Sequence, residues 1–442
     1  MFTKQYCITI VCKPGPFAEQ LKHEGACVIE TDYSPFNDSK ILDDIETLHE
    51  KHPIDIVHAH PFASRKLGLI VSQVLGLPFV VTLHGRYQDE LPSYIEQTDA
   101  VITVSEGIKH YLLTEGGVDV PEKLHVVPNT PDASLFLTTN VVRSPDTAKR
   151  AIISLVTRLD QDKIFILDVF YQAVAHAAEH YPGFIHWQIV GKGTLEQKFT
   201  NNVEALRGDN TVSYTGWLRG EALRDAYCVS DAVIAPGRSA LEAMICGVPV
   251  IALGSKGYNG LVGPKTWQQA MFSNFGGVGN KHEDYNVGAV EHDLDNLMIS
   301  ASFRQRLGSF GQQIVNQFFN ADEMHRKLLG FYNLALAAYK AQPRETLPKS
   351  HFLTLRLRYL HLEQPDSKTL LLTMNCEYPE GLKFAWYLMR DDKVIDKYSY
   401  RSEPSITITF PSLGRFQVRC FIKDEKMGKI SVLSPIIEVL DE

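Results

Sequence analysis

Arg238, Ser239 and Glu242 cluster in 236-PGRSALEAMICGVPVIALG-254, where small residues open a helix-like segment ahead of an apolar strand. A helix start presents N–H groups without intrahelical partners and the positive end of the helix dipole. Two readings suit this spacing. Ser239 followed three residues later by Glu242 matches a capping box. Alternatively, Gly237 to Ser239 offer N–H groups to a phosphate and Glu242 binds a sugar diol. A second candidate is 156-VTRLDQDK-163, which puts Arg158 and Lys163 just beyond a strand. A guanidinium fork and an ammonium suit a diphosphate, while Asp160 and Asp162 could equally make this a self-paired charged loop. In 190-VGKGT-194, Gly191 and Gly193 permit close backbone approach or mark a tight turn. 211-TVSYTGW-217 delivers Gly216 and Trp217 at another strand end.

Such residues can act together only if strand ends converge. Ligands of open parallel sheets sit beyond the carboxyl ends of the strands. The first third of the chain alternates strand-like runs (YCITIVC, ACVIETD, IDIVHAH, PFVVTLHG, DAVITVSE, LHVVPN) with amphipathic helical segments. The alternation restarts with AIISLVTR, HWQIVGKG, TVSYTGW, DAVIAPG and VPVIALG. Continuous apolar strands alternating with helices predict parallel sheets covered on both faces. The fold class expected is α/β, with two doubly wound domains at 1–135 and 146–340 joined near residues 131–148. After 342-QPRETLPKS-350, which reads as a linker, seven short strands from FLTLRLRYLHL to ISVLSPIIEVL predict an all-β, immunoglobulin-like sandwich over 350–442. Nothing in it looks catalytic. Trp386, Tyr387, Tyr398 and Tyr400 read as core and surface strand residues ahead of a carbohydrate platform, and the segment as a docking or oligomerisation module separable from the donor site.

Composition narrows the function. The 442 residues exceed one ordinary core, and 44% apolar with 22% charged content is that of a folded soluble protein. A net charge of −8 without a long basic run argues against nucleic acid as the main partner. No apolar run is long enough to span a bilayer, and the opening MFTKQYCITIVCKPG lacks a signal-peptide pattern. The seven cysteines, with no C-x-x-C, suggest reduced thiols and a cytoplasmic protein.

Taken in order, R-L-x-x-x-K, V-G-x-G, a strand ending in G-W, and L-E-A-M-x-C-G-V-P-V-I-A resemble the donor domain of GT-B glycosyltransferases, specifically the retaining family four. DIVHAH, VVTLHG, ITVSE and VVPNT resemble its acceptor domain in the same order. The resemblance covers roughly residues 5 to 340. It implies two Rossmann-like domains and a nucleotide-sugar donor without a cofactor or metal. By the same resemblance Arg158 and Lys163 neutralise the leaving diphosphate, Glu242 accepts the ribose hydroxyls, and His84 faces the donor sugar. Gly191, Gly193, Trp217, Gly237, Arg238 and Ser239 complete the donor side. His58 and His60 are weaker candidates. The implied partners are a glycan or lipid-linked acceptor and, through the β domain, a peripheral membrane or polysaccharide-assembly partner, in bacterial capsule or lipopolysaccharide biosynthesis.

Two departures stand out. Ile234 occupies the position, eight residues before Glu242, where the family has a sugar-binding glutamate. The first strand and helix of the family's acceptor domain have no counterpart before YCITIVC. A non-catalytic homologue binding nucleotide-sugar or glycan, and a nucleotide-sugar epimerase of the same fold, are the alternative readings. The Gly-rich 254-GSKGYNGLVGP-264 and 273-SNFGG-277 fall where the family places its donor-sugar loop, and their role stays open.

Overall fold

A computed structural model describes residues 6–137, 150–276 and 285–440. Most of the expected joint at 131–148, and Gly277 of the second Gly-rich segment, lie outside the described residues. The chain forms two compact units, one of residues 1–80 with 336–442 and one of residues 81–335.

In the first unit, β1 (Thr9–Cys12) and β2 (Cys27–Glu30) pair in parallel as a two-stranded sheet, and β3 (Val57–Ala59) follows. Helices Asp38–Lys51 and Ala63–Leu75 bury Ile41, Leu42, Ile45, Leu67 and Val71 in one cluster, with Val11 and Ile29 of the sheet packed on it.

The second unit contains most of the α/β structure. β4 (Phe79–Leu83) and β5 (Ala100–Thr103) are buried at every position, as strands covered on both faces must be, and β6 (Leu124–Val126) runs parallel to β5. A six-stranded sheet follows, with β7 (Ala151–Val156), β8 (Ile185–Val190), β9 (Thr211–Gly216), β10 (Ala232–Ala235), β11 (Val250–Gly254) and β12 (Gly257–Leu261) in the order β12-β11-β10-β7-β8-β9. All are parallel except β12, which turns back antiparallel on β11. Separate apolar clusters cover the sheet, one around Phe170, Trp187 and Phe199, the other around Tyr227, Leu241 and Met244. The arrangement is doubly wound. β12 was not foreseen: 257-GYNGL-261 has no strand pattern of its own and is extended by pairing with β11.

The rest of the first unit is all β and antiparallel. β13 (Leu357–Asp366), β14 (Thr369–Cys376) and β17 (Ser405–Thr409) make one sheet. β15 (Lys383–Arg390), β16 (Lys393–Arg401), β18 (Gly414–Asp424) and β19 (Gly428–Leu433) make the other, with β20 (Ile437–Val439) on β18. The last expected strand splits in two because Pro435 has no N–H for a ladder. Phe384, Trp386 and Val418 are fully buried between the sheets.

The sandwich is not a free appendage of its unit. Leu355, only 1% exposed, joins the cluster around Ile41, Leu42 and Leu67. Leu347 N–H donates to the Gln73 carbonyl at 2.9 Å, and Lys349 pairs with Asp43 and Glu46, each at 2.7 Å. Arg358 bonds Ser39 and pairs with Glu377. The stretch read as a linker is therefore docked along two helices.

One buried acid gives this unit a pH signature. Burial, reinforced by the nearby Asp32 charge, raises the Asp38 carboxyl from 3.8 to about 6. An acid whose folded pKa is raised binds its proton more tightly when folded, so its burden is absent below the unfolded pKa. Stability falls as pH climbs from about 4 to 6 and stays reduced above that. Asp38→Asn should therefore stabilise the protein by ~1–3 kcal/mol at pH 7.5 and by nothing near pH 3.5. Thermal melts at the two pH values check this; an equal shift at both would place the effect elsewhere.

Candidate active site

Because β7 to β11 are parallel, the residues following them emerge at one edge of the sheet. Backbone bonds knit the first loops together. Thr157 N–H donates to Val190, Leu159 to Lys192, and Leu195 to Leu159, at 2.8–3.2 Å, while Gly191 N–H donates to Gly216 at 2.9 Å. This packing explains the glycines. A Cβ on Gly191 would stand 1.9 Å from the Thr157 carbonyl oxygen, and one on Gly193 2.3 Å from that of Leu159. Close approach is required at both positions, and the neighbour approached is the loop carrying Arg158.

Within that loop Arg158 pairs with Asp160 and Asp162, each at 2.9 Å, and Lys163 shares Asp162 at 2.9 Å. Lys163 also donates to Ser255 Oγ at 2.7 Å. The two cations are thus held by carboxylates of their own loop. Asp160 is tied further by the Thr194 N–H, which holds its carboxyl below the usual range. The arrangement keeps two cations at the strand end, with Arg158 half-exposed and Lys163 more enclosed.

The capping box does not form. The helix Gly237–Ile245 starts after Pro236 without a side-chain cap, and Ser239 is its third residue. Its opening is instead set by Gly237, whose φ is +49° and whose N–H donates to the Phe275 carbonyl at 3.1 Å. Glu242, 5% exposed, accepts from Arg238 Nε at 2.8 Å and from the Tyr227 hydroxyl at 3.2 Å. Burial raises its carboxyl above the usual range against the pull of the Arg238 charge. Trp217 stands 55% exposed at the end of β9.

Several neighbours escaped the sequence reading. Ser255 meets Lys163 from the loop after β11, and Tyr227 meets Glu242 from the preceding helix. Asn274 and Phe275 take left-handed φ values of +56° and +50°, unusual for non-glycine residues, beside the helix start. The Gly-rich segments were the available signal: Gly254 packs so tightly on Gly276 that a Cβ would lie 2.1 Å from its carbonyl oxygen. The structure thus joins Arg158, Lys163, Gly191 and Gly193 in one bonded group, and Gly237, Arg238 and Glu242 in another beside Phe275. His84 follows β4, is exposed, and donates its backbone N–H to the Tyr87 hydroxyl at 3.2 Å. The rings of His58 and His60 lie 5.3 Å apart at the end of β3. Ile234 sits inside β10 at 0% exposure, packed in the apolar cluster around Phe170 and Trp187.

Glu242→Gln separates a binding role from a structural one. The amide can keep the Tyr227 hydrogen bond, and Arg238, itself well exposed, can turn to water. Melting temperature should hold, while affinity for a nucleotide diphosphate should fall by ~1–3 kcal/mol if the carboxylate binds a diol. Unchanged affinity with a lower melting temperature would make Glu242 purely structural.

Two family models match adjacent parts of the chain. Glycosyltransferase Family 4 matches residues 10–135, and Glycosyl transferases group 1 matches residues 150–272. No curated protein matches. Among solved structures, a glycosyltransferase from Rickettsia africae superposes with a TM-score of 0.57 at 20% identity, covering 74% of this chain and 90% of that one. Sucrose-phosphate synthase from Thermosynechococcus elongatus gives 0.57 at 18% identity, covering 76% and 90%. HepE from Anabaena, solved in complex with UDP, gives 0.54 at 19% identity, covering 73% and 90%. These likenesses are of fold. With both halves of the α/β region matched in order, the chain belongs to the group 1 glycosyltransferases with a family 4 N-terminal domain, built on the GT-B fold and extended by a C-terminal β sandwich.

Proposed function

We propose that the protein is a retaining, metal-independent transferase that moves a sugar from a nucleotide-sugar to a glycan or lipid-linked acceptor in bacterial surface-polysaccharide assembly. The observation that carries this reading is the convergence of Arg158, Lys163, the uncapped helix start at Gly237 and the buried Glu242 at one edge of a parallel sheet. The UDP complex of HepE, a protein of like fold, supports a nucleotide ligand. In this scheme Arg158 and Lys163 leave their carboxylates for the diphosphate and stabilise the charge that grows as the glycosidic C–O bond breaks. The acceptor hydroxyl attacks from the leaving-group face, and its proton passes to the departing phosphate oxygen. Configuration is retained, and the protein supplies positioning and charge in place of a nucleophile.

The experiment is hydrolysis and transfer with a panel of nucleotide-sugars, with and without a chelator. One donor should be turned over, yielding free nucleotide diphosphate, and the rate should be unchanged by chelation. Loss of turnover in chelator, restored by magnesium or manganese, would overturn the metal-independent mechanism. Ile234 favours a second reading, a binding protein without turnover, because its burial in β10 leaves no carboxylate where the family has one. Donor bound but neither hydrolysed nor transferred would decide for that reading.

A further inference from the structure

The sheet β16-β15-β18-β19 buries Phe384, Trp386 and Leu388 on one side, and alternation turns Lys383, Ala385 and Tyr387 to the other. On that outer side Tyr387 and Phe421 meet nearly edge to face at 4.7 Å between centroids. Lys397 Nζ lies 5.3 Å from the Tyr387 ring, Lys423 5.0 Å from Tyr400, and Lys429 4.2 Å from Phe421 and 5.9 Å from Tyr400. Ala385, opposite Phe421 in the ladder, leaves room for these arms. The cluster spans all four strands.

The face carries positive charge in a chain that is acidic as a whole. The net charge is −8, yet among the described residues no ion pair takes up Lys397, Lys423 or Lys429; the acid paired on this face, Glu425, is held by Lys383. The three ammonium groups rest on ring faces, which orders them without neutralising them. A ligand matched to this face would bring negative charge and a flat apolar surface together. A bilayer offers charge, but the groups standing above these rings are ammoniums where membrane insertion would need apolar side chains. A polysaccharide bearing carboxylates fits both halves: its acid groups draw the lysines outward, and the C–H faces of its sugars replace them on the rings.

We propose that this outer face is a binding site for an anionic polysaccharide, separate from the donor site. The proposal rests on the glycosyltransferase reading only in that such a chain is the natural acceptor or product. The test uses the full chain with alginate oligosaccharides, neutral dextran, and vesicles of 70:30 phosphatidylcholine and phosphatidylglycerol. Alginate should bind, and dextran and vesicles should not. The triple variant Lys397→Gln, Lys423→Gln, Lys429→Gln should weaken alginate binding by about 30-fold or more. Tyr400→Ala, at a residue 37% exposed and outside the core, should weaken it by about 10-fold with the melting temperature unchanged. Nucleotide binding should be untouched in both variants, so failure here is distinct from failure of the donor assignment. Absence of alginate binding overturns the proposal, as does preferential capture by vesicles. Full alginate affinity in Tyr400→Ala also overturns it, because charge alone would then suffice.

Discussion

Lys163→Ala should lower kcat with the cognate nucleotide-sugar by about 100-fold or more, while the melting temperature barely moves. The kinetic expectation follows from where charge appears. In the ground state Lys163 is already satisfied by Asp162 and Ser255, at 2.9 and 2.7 Å. Only when the leaving diphosphate gains charge is an ammonium at the end of β7 worth more to the ligand than to Asp162. Loss of one such electrostatic contact typically costs ~10²–10³ in rate. The stability expectation follows from exposure: Asp162 is 54% exposed, and ion pairs of this kind contribute ~0–1 kcal/mol. Arg158→Ala should behave similarly. Because both cations share Asp162, the double variant should cost less than the product of the two single effects. Single-turnover kinetics beside thermal melts make the measurement. Wild-type turnover in either variant would leave these residues as a charged loop and remove them from the chemistry.

Most of this frame was legible from residue pattern, since fully apolar strands such as FVVTL and VIALG have few alternatives to a sheet covered on both faces. Pattern failed where a segment owes its conformation to neighbours. The chain at 257–261 is a strand because β11 offers it a ladder, and 342–350 is docked because Asp43, Glu46 and Gln73 hold it. The same limit applied to the candidate site. Ser239 and Glu242 have capping spacing, but Pro236 already holds the N-cap position, and Glu242 turns to Tyr227, fifteen positions back along the chain. Gly191 and Gly193 do allow a close approach, but what approaches them is the loop that bears Arg158, a contact no local spacing reveals.

The second large effect concerns a chain ending at residue 345. Read as a sequence, the β domain looked separable, and such a chain would fold unharmed. The structure leads to a different expectation. Removing residues 346–442 takes Leu355 out of the cluster of Ile41, Leu42, Ile45, Leu67 and Val71, and with it both ion pairs of Lys349. Losing one such buried leucine side chain costs ~2–5 kcal/mol even when its backbone stays. The two-stranded sheet β1-β2 cannot replace that support, because two strands alone are marginal in water. Residues 9–75 should therefore lose amide protection in hydrogen exchange by orders of magnitude. Residues 151–276, whose own sheet is covered by the clusters around Phe170 and Tyr227, should stay protected and still bind nucleotide. Leu355→Ala in the full chain should reproduce part of the effect, raising exchange in the helix Asp38–Lys51 with the sandwich still present. If the shortened chain keeps native protection across 38–75 and melts like the full chain, the sandwich is a separable module and the shared core contributes nothing to folding.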